Sequence, residues 1–264
     1  MSIRTSISIS FILFSLLACS GPSSGDKSSK QHSQEKSSSA PSVKQKKKAP
    51  AKGLESDSIA RTFLLEYGAE NPERSLLVET DFGTIEILLN ENTPLHRANM
   101  IYLIKEYQYF NGTWFHRVSP GHVIQAGNND ELSLQSLRKK IGSYELSPEA
   151  INQNYHVYGS VAMARDYKGN PDKKSDPFEF YITLGQKYSD GQLNAMEEEY
   201  GIQLNDEQRR LYKEQGGSPH LDQEHTVIGK VVSGMSTVEK IAKVKTDKGE
   251  WPLKNIPIKI KIKK

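Results

Sequence analysis

From residue 75 onward, apolar and polar side chains alternate in short runs. "SLLVETDFGTIEILL" holds two such runs on either side of Asp81-Phe82-Gly83, the pattern of a β-hairpin. Six further runs share the pattern: "TWFHRVS", "HVIQAG", "YGSVAMAR", "FEFYITLG", "HTVIGKVV" and "IPIKIKI". A period of two sends alternate side chains to opposite faces of a sheet. Many short strands, few helices and glycine-marked turns predict a mainly β fold, a closed antiparallel barrel.

Helical spacing is confined to a few segments. In "SIARTFLLEYG", Ile59, Phe63 and Leu64 share a face and Ser58 is the candidate N-cap of an N-terminal extension. In "NTPLHRANMIYLIKEYQYF", Thr93 is the candidate cap and Pro94 suits the first turn. There Ala98, Ile101, Tyr102 and Ile104 or Lys105 form an imperfect face ending near Gln108. "STVEKIAKV" predicts a second helix capped by Ser236 or Thr237, with Val238, Ile241 and Ala242 inward. Asn194 to Gly217 is polar and helix-prone, with Asn205 as cap and Gly216-Gly217 as stop. It predicts a helical pair or hairpin inserted between two strands.

The overall apolar fraction of 36% averages two different compositions. Residues 20–53 hold almost no apolar side chains, too few to offset ordering entropy, and are expected to be disordered. The same segment carries eight Lys and two acids, a charge of +6. With Arg4 set aside as well, the chain's +3 leaves residues 54–264 at −4. A mildly acidic fold lacks the basic stripe of a nucleic-acid-binding domain. The run "KQKKK" reads as a solvated tail, or as a contact to anionic lipid or cell-wall polymer.

Ahead of it, Arg4 precedes the apolar run "ISISFILFSLLA", which ends at "LLAC". That is the layout of an export signal, too short for the ~20 residues of a membrane span. Cys19 is the one cysteine, so no internal disulfide can form. Leu16-Leu17-Ala18-Cys19 resembles a bacterial lipoprotein box, which implies cleavage before Cys19 and its lipidation. The alternative is an ordinary signal peptide with a chance cysteine. The expected organisation is a signal peptide over 1–18, a Ser/Lys-rich tether over 19–57 and an extension over 58–75. A main domain over 76–264 follows, with an insert at 185–219. A flexible coil spanning 20–53 has an end-to-end distance of roughly 30–35 Å.

Candidate chemistry gathers in "FHRVSPGHVIQAG" (Phe115–Gly127). No two of the seven His have the i, i+4 spacing of a zinc-binding helix, and Pro120-Gly121 interrupts the run joining His116 to His122. There is no G-x-S-x-G elbow and no G-x-x-x-x-G-K-S/T phosphate loop. Arg117 and Gln125 remain. If their runs are neighbouring strands, both side chains can share one face. An Arg fork of donors beside a Gln, donor and acceptor together, suits a peptide backbone. Equally, Arg117 pairs with a surface acid.

The same stretch resembles the signature of cyclophilins, the peptidyl-prolyl cis–trans isomerases. Further blocks resemble the family in its order: "TDFGTIEILLNENTPLHRANMIYL", "GSVAMAR", "FEFYI" and "HLDQEHTVIGKVVSGMSTVEKI". The resemblance runs from about residue 76 to 264 and omits the signal, tether and insert. It implies an eight-stranded antiparallel β-barrel, closed and capped by two helices, with substrate in a groove on the outer face. It also implies an enzyme that needs no cofactor or metal and acts on proline-containing polypeptides. The expected setting is the cell envelope: a monomer held by lipid at Cys19 to a membrane, the outer one facing the periplasm, assisting exported proteins.

By position, Arg117 corresponds to the family's essential arginine and Gln125 to the glutamine that holds substrate backbone. His225 and Leu221 correspond to the edge and wall of the proline pocket. Ala164 corresponds to the alanine whose backbone meets the residue before proline. The family's Phe-Met pair is replaced by His122-Val123, its deep Phe by Tyr181, the Gln before it by Glu179, and its Trp or other aromatic by His220. Those changes imply a looser grip on proline. They leave open a binding module with little turnover.

Overall fold

The computed structural model describes Pro50 and residues 53–263. The expected signal peptide, Cys19 and nearly all of the expected tether lie outside the described residues. Each of the alternating runs forms a strand. They are β1 (Ser75–Thr80), β2 (Gly83–Leu89), β3 (Trp114–Ser119), β4 (Val123–Asn128), β5 (Ser160–Met163), β6 (Phe180–Thr183), β7 (Val227–Ser233) and β8 (Lys259–Ile262). They make one antiparallel sheet in the order β3-β4-β6-β5-β7-β2-β1-β8.

The closed barrel expected from the strand pattern is not formed. β3 and β8 are the two edges of an open half-barrel and share no ladder. Among the described residues their gap is bridged ahead of β8, where Phe115 N–H donates to Ile256 C=O and Ile258 N–H donates to Thr113 C=O. Between those bonds Pro257 stands opposite Trp114. Trp114 and Pro257 are a non-hydrogen-bonded pair flanked by those two bonds, and the pairing does not extend into β8.

Among the described residues six α-helices accompany the sheet; the extension, the two capping helices and the insert pair were expected, and the third in chain order was not. They are α1 (Asp57–Glu70), α2 (Pro94–Tyr107), α3 (Leu132–Ile141), α4 (Asp190–Tyr200), α5 (Asp206–Glu214) and α6 (Met235–Ile241). The Ser56 side chain accepts the Ile59 N–H at 3.3 Å, so α1 begins earlier than a Ser58 cap would place it. Its buried face is therefore Ala60, Leu64 and Tyr67, and Ile59 is 45% exposed. Packing on the domain begins ahead of α1. Leu54 is buried, donates its N–H to Ile141 and accepts from Ser143 N–H.

α2 is buried nearly all round because α1 covers the face turned away from the sheet. Phe63, Tyr67 and Tyr102 meet there with ring centroids 5.1–5.8 Å apart. This explains its imperfect amphipathic pattern. α3 has only Leu134 and Ile141 buried, too sparse a stripe to stand out in the sequence. α6 starts after Gly234, in the left-handed region at φ 90°, rather than at a Ser236 or Thr237 cap. It buries Val238, Ile241 and Ala242 as predicted.

In the insert, α4 and α5 each begin with a reciprocal capping box, Ser189 with Gln192 and Asn205 with Gln208. Leu193, Leu204 and Tyr212 give this pair its own small core. The main core fills the concave face of the sheet. A separate cluster of Val123, Ala162, Tyr181, Leu221 and Val227 lies on the opposite face.

Candidate active site

That second cluster marks the site. β3 and β4 are joined by Ser119-Pro120-Gly121-His122, closed by a 3.0 Å bond from His122 N–H to Ser119 C=O. Proline second and a left-handed glycine third, φ 72°, is the residue pattern of a type II turn. Farther along β3 the register slips at His116: Phe115 opposes Ala126 and Arg117 opposes Gln125. This bulge sends Phe115 into the core and Arg117 to the outer face. The cross-strand row then continues: Gln125 opposes Tyr181, Tyr181 opposes Ala162, and Ala162 opposes Val227. Arg117 and Gln125 are thus direct neighbours on the outer face, as the two-strand reading required.

They stand at the mouth of a cavity of about 120 Å³, lined also by His122, Val123, Ala164, Tyr181, Leu221 and His225. That is well under the ~300–1,000 Å³ of typical cofactor or drug pockets and suits one small ring. Arg165 and Tyr167 complete the lining and were not anticipated. His220 is the exception among the expected site residues. It stacks behind His122 with centroids 5.3 Å apart and against Tyr200 of α4 at 5.0 Å, so it backs the wall rather than lining it. Ala164 lines the cavity, with its N–H donated to Glu179 C=O and its carbonyl accepting from Asp176 N–H.

Each polar wall is held from behind. Arg117 Nε donates to Glu250 at 2.7 Å, and Ser119 Oγ donates to the other oxygen of that carboxylate at 2.6 Å. Arg117 therefore does pair with an acid, through Nε. The Nη groups make no protein hydrogen bond among the described residues. The Ser119 bond, partly opposed by burial and aided by the Arg117 charge, keeps the Glu250 carboxyl below its usual range.

Gln125 Nε2 donates to Glu179 at 2.9 Å. Glu179 also meets Arg138 of α3 at 3.0 Å and His116 at 3.3 Å. Burial acts to raise the Glu179 carboxyl, but the His116 bond and Arg138 charge outweigh it and hold it low. His225 Nδ1 lies 3.1 Å from Met163 C=O and Nε2 lies 2.8 Å from the Tyr167 hydroxyl. A carbonyl can only accept, so Nδ1 carries the proton and Nε2 accepts from Tyr167. Burial, with the neighbouring His156, depresses the His225 pKa to about 3, so the ring is neutral.

The partners missed from sequence are Glu250, Arg138, His156 and Asp222, along with Arg165 and Tyr167. Arg165 directly follows Ala164, and that adjacency was its only available signal. Among the described residues, no three His, Cys, Asp or Glu side chains group as a metal site.

Comparison with known proteins places this geometry. Residues 75–262 match the family described as cyclophilin type peptidyl-prolyl cis-trans isomerase/CLD. A peptidyl-prolyl cis-trans isomerase of Acinetobacter baylyi is 29% identical over 192 residues, covering 70% of this chain and 84% of that one. A Staphylococcus saprophyticus protein provisionally named for the same activity is 30% identical over 194 residues, covering 70% and 89%. The fold resembles a Cryptosporidium parvum cyclophilin type isomerase with TM-score 0.51 at 19% identity, covering 73% of this chain and 98% of that one. A crystal structure of the same protein in the presence of the dipeptide Ala-Pro gives 0.50 at 18% identity, covering 72% and 99%. The family spans the sheet, both faces and the cavity, and the chain belongs to it: this is a cyclophilin-type peptidyl-prolyl cis–trans isomerase.

Proposed function

We propose that Arg117 and Gln125 carry the isomerisation and that the adjoining cavity holds the proline ring of an exported client protein. The supporting observation is their direct cross-strand pairing at the mouth of a small cavity with an apolar floor. Rotation about an X-Pro bond meets a barrier of ~18–20 kcal/mol, the lost amide resonance, and takes tens to hundreds of seconds unaided. No bond is made or broken, so neither nucleophile nor proton transfer is needed. As the bond twists, the prolyl nitrogen becomes pyramidal and gains a lone pair. A guanidinium N–H aimed there binds the twisted state better than the planar one, and only such a difference lowers a barrier.

Glu250 anchors Nε and leaves the Nη donors of Arg117 for this task. Gln125 holds the substrate backbone on one side while the other turns. Val123, Tyr181 and Leu221 with the Ala164 methyl enclose the ring, and His122 and neutral His225 flank it. Excluding water there strengthens the Arg117 contact. Titrating an X-Pro peptide into isotope-labelled protein tests the placement. Shifts at Gln125, Ala164, Leu221 and His225 are expected, and shifts confined to the insert or to the α1 face would overturn it.

The export signal, the lipoprotein-like Leu16–Cys19 box and the Ser/Lys-rich tether support a lipid-anchored envelope protein, and the outer membrane facing the periplasm is the setting the resemblance to tethered family members implies. Cys19→Ser should release the mature protein from the membrane fraction. Unchanged membrane association would contradict the anchor.

A further inference from the structure

Beneath the cavity lies a buried chain of hydrogen bonds that ends in the insert. The Tyr181 hydroxyl is 3.0 Å from His156 Nε2. His156 Nδ1 is 3.0 Å from Asp222 Oδ1, which also accepts the His156 backbone N–H at 2.8 Å. The other oxygen of Asp222 accepts from Tyr212 Oη at 2.7 Å and Gln208 Nε2 at 2.8 Å, both on α5. All five side chains are buried. Directions follow from chemistry. The Asp222 carboxylate only accepts, so His156 Nδ1 donates to it, while His156 Nε2 and the Tyr181 hydroxyl share the bond below the cavity floor. The hydroxyl that distinguishes this floor from a Phe is thus consumed below the cavity, and the ring presents an apolar face to it.

His156 supports two walls at once. Its ring lies nearly parallel to Tyr181 at 6.1 Å and edge-on to His225 at 6.2 Å. Asp222 immediately follows Leu221, a third wall. The insert that supplies Tyr212 and Gln208 is a packed body with its own core, so it gives the chain a fixed end. Such a network, fully partnered in a low-dielectric interior, fixes one arrangement of the groups it joins.

We propose that the insert sets the shape of the proline pocket through Tyr212 and Gln208, Asp222, His156 and Tyr181, with Tyr212, Gln208, Asp222 and His156 as positioning residues for substrate binding. The proposal rests on the reading that the proline ring packs on Tyr181. It predicts a particular kinetic signature: grip on substrate changes, while the Arg117-dependent rotation step does not.

The test is steady-state isomerisation of an X-Pro peptide by the full chain and by Tyr212→Phe and Gln208→Leu, with Leu193→Ala as control. Leu193 shares the insert's small core with Tyr212 but takes no hydrogen bond in the chain, so it separates loss of packing from loss of a bond. Tyr212→Phe and Gln208→Leu should each raise KM about three- to tenfold, the range one buried hydrogen bond is worth, with kcat near that of the parent. Leu193→Ala should lower Tm and leave KM unchanged. Should one relay variant not fold, the other carries the same test. Unchanged KM in a folded relay variant, or an equal rise in Leu193→Ala at a matched loss of Tm, would overturn the proposal. Failure of the underlying site reading is separate: it would appear as full activity in Arg117→Ala, whatever the relay variants do.

Discussion

Lowering the pH from 7 to 5 should destabilise this protein through His225, by an amount the site geometry sets. In the unfolded chain His225 titrates near the ordinary 6.5, whereas in the folded protein burial and the nearby His156 depress it to about 3. Its Nδ1–H is committed to Met163 C=O and its Nε2 to the Tyr167 hydroxyl, so protonation would break the second bond inside a buried site. A depressed folded pKa gives stability that is present in full above 6.5 and is lost as pH falls toward 3. At pH 5 the unfolded state has taken up nearly one proton and the folded state almost none. Roughly 1.5 pH units at ~1.4 kcal/mol each gives a loss of about 2 kcal/mol from this residue. Urea unfolding of the parent and of His225→Gln, which keeps a donor and an acceptor but does not titrate, isolates the effect. Other titrating groups, Asp176 among them, are common to both proteins and cancel. The parent should lose about 2 kcal/mol more than the variant between pH 7 and pH 5. Equal losses would refute the reasoning.

Glu250→Gln should cost little stability, under ~1 kcal/mol, because both partners of the ion pair are more than a third exposed. It should lower kcat/KM severalfold in the peptide assay, because Arg117 loses the group that aims it. Glu179→Ala removes the shared acceptor of Arg138, His116 and Gln125 from a mostly buried site, and should lower stability by ~3–5 kcal/mol in denaturant titrations. Conversely, His122→Phe with Val123→Met lengthens the apolar wall of the cavity. At ~0.8 kcal/mol per buried methylene it should lower KM by about fourfold with kcat retained.

The strands were legible because period-two alternation survives wherever one sheet face meets the main core, as in "SLLVETDFGTIEILL". The pairing of Arg117 with Gln125 was legible too, since Pro120-Gly121 marks a tight turn that brings the flanking runs together. The single-residue bulge at His116 was not, yet it decides which way Arg117 faces. Closure is limited to one bridge, Trp114 against Pro257, ahead of β8, and a contact that local leaves no mark in the alternation. α3 escaped notice because two buried residues make no stripe, and α1 was misphased because Ser56 rather than Ser58 caps it.

The groups that hold the site lay beyond reach for a different reason. Glu250 meets Arg117 across 133 residues and Asp222 meets His156 across 66. Such pairs leave no periodic or spacing signal, because their partners are fixed only by the tertiary fold. The spacing of the seven His speaks only to metal ligation. His156 serves instead as a hydrogen-bonded support, a role that spacing does not encode.

The central claim is that Arg117 acts on the twisted bond and does not merely hold the fold. A protease-coupled X-Pro peptide assay on Arg117→Ala, run beside circular dichroism and thermal unfolding, tests it most directly. The account predicts loss of most of kcat/KM, chiefly through kcat, with spectrum and Tm close to the parent's because Arg117 lies on the partly exposed outer face. A folded Arg117→Ala protein with unchanged kcat/KM would contradict it.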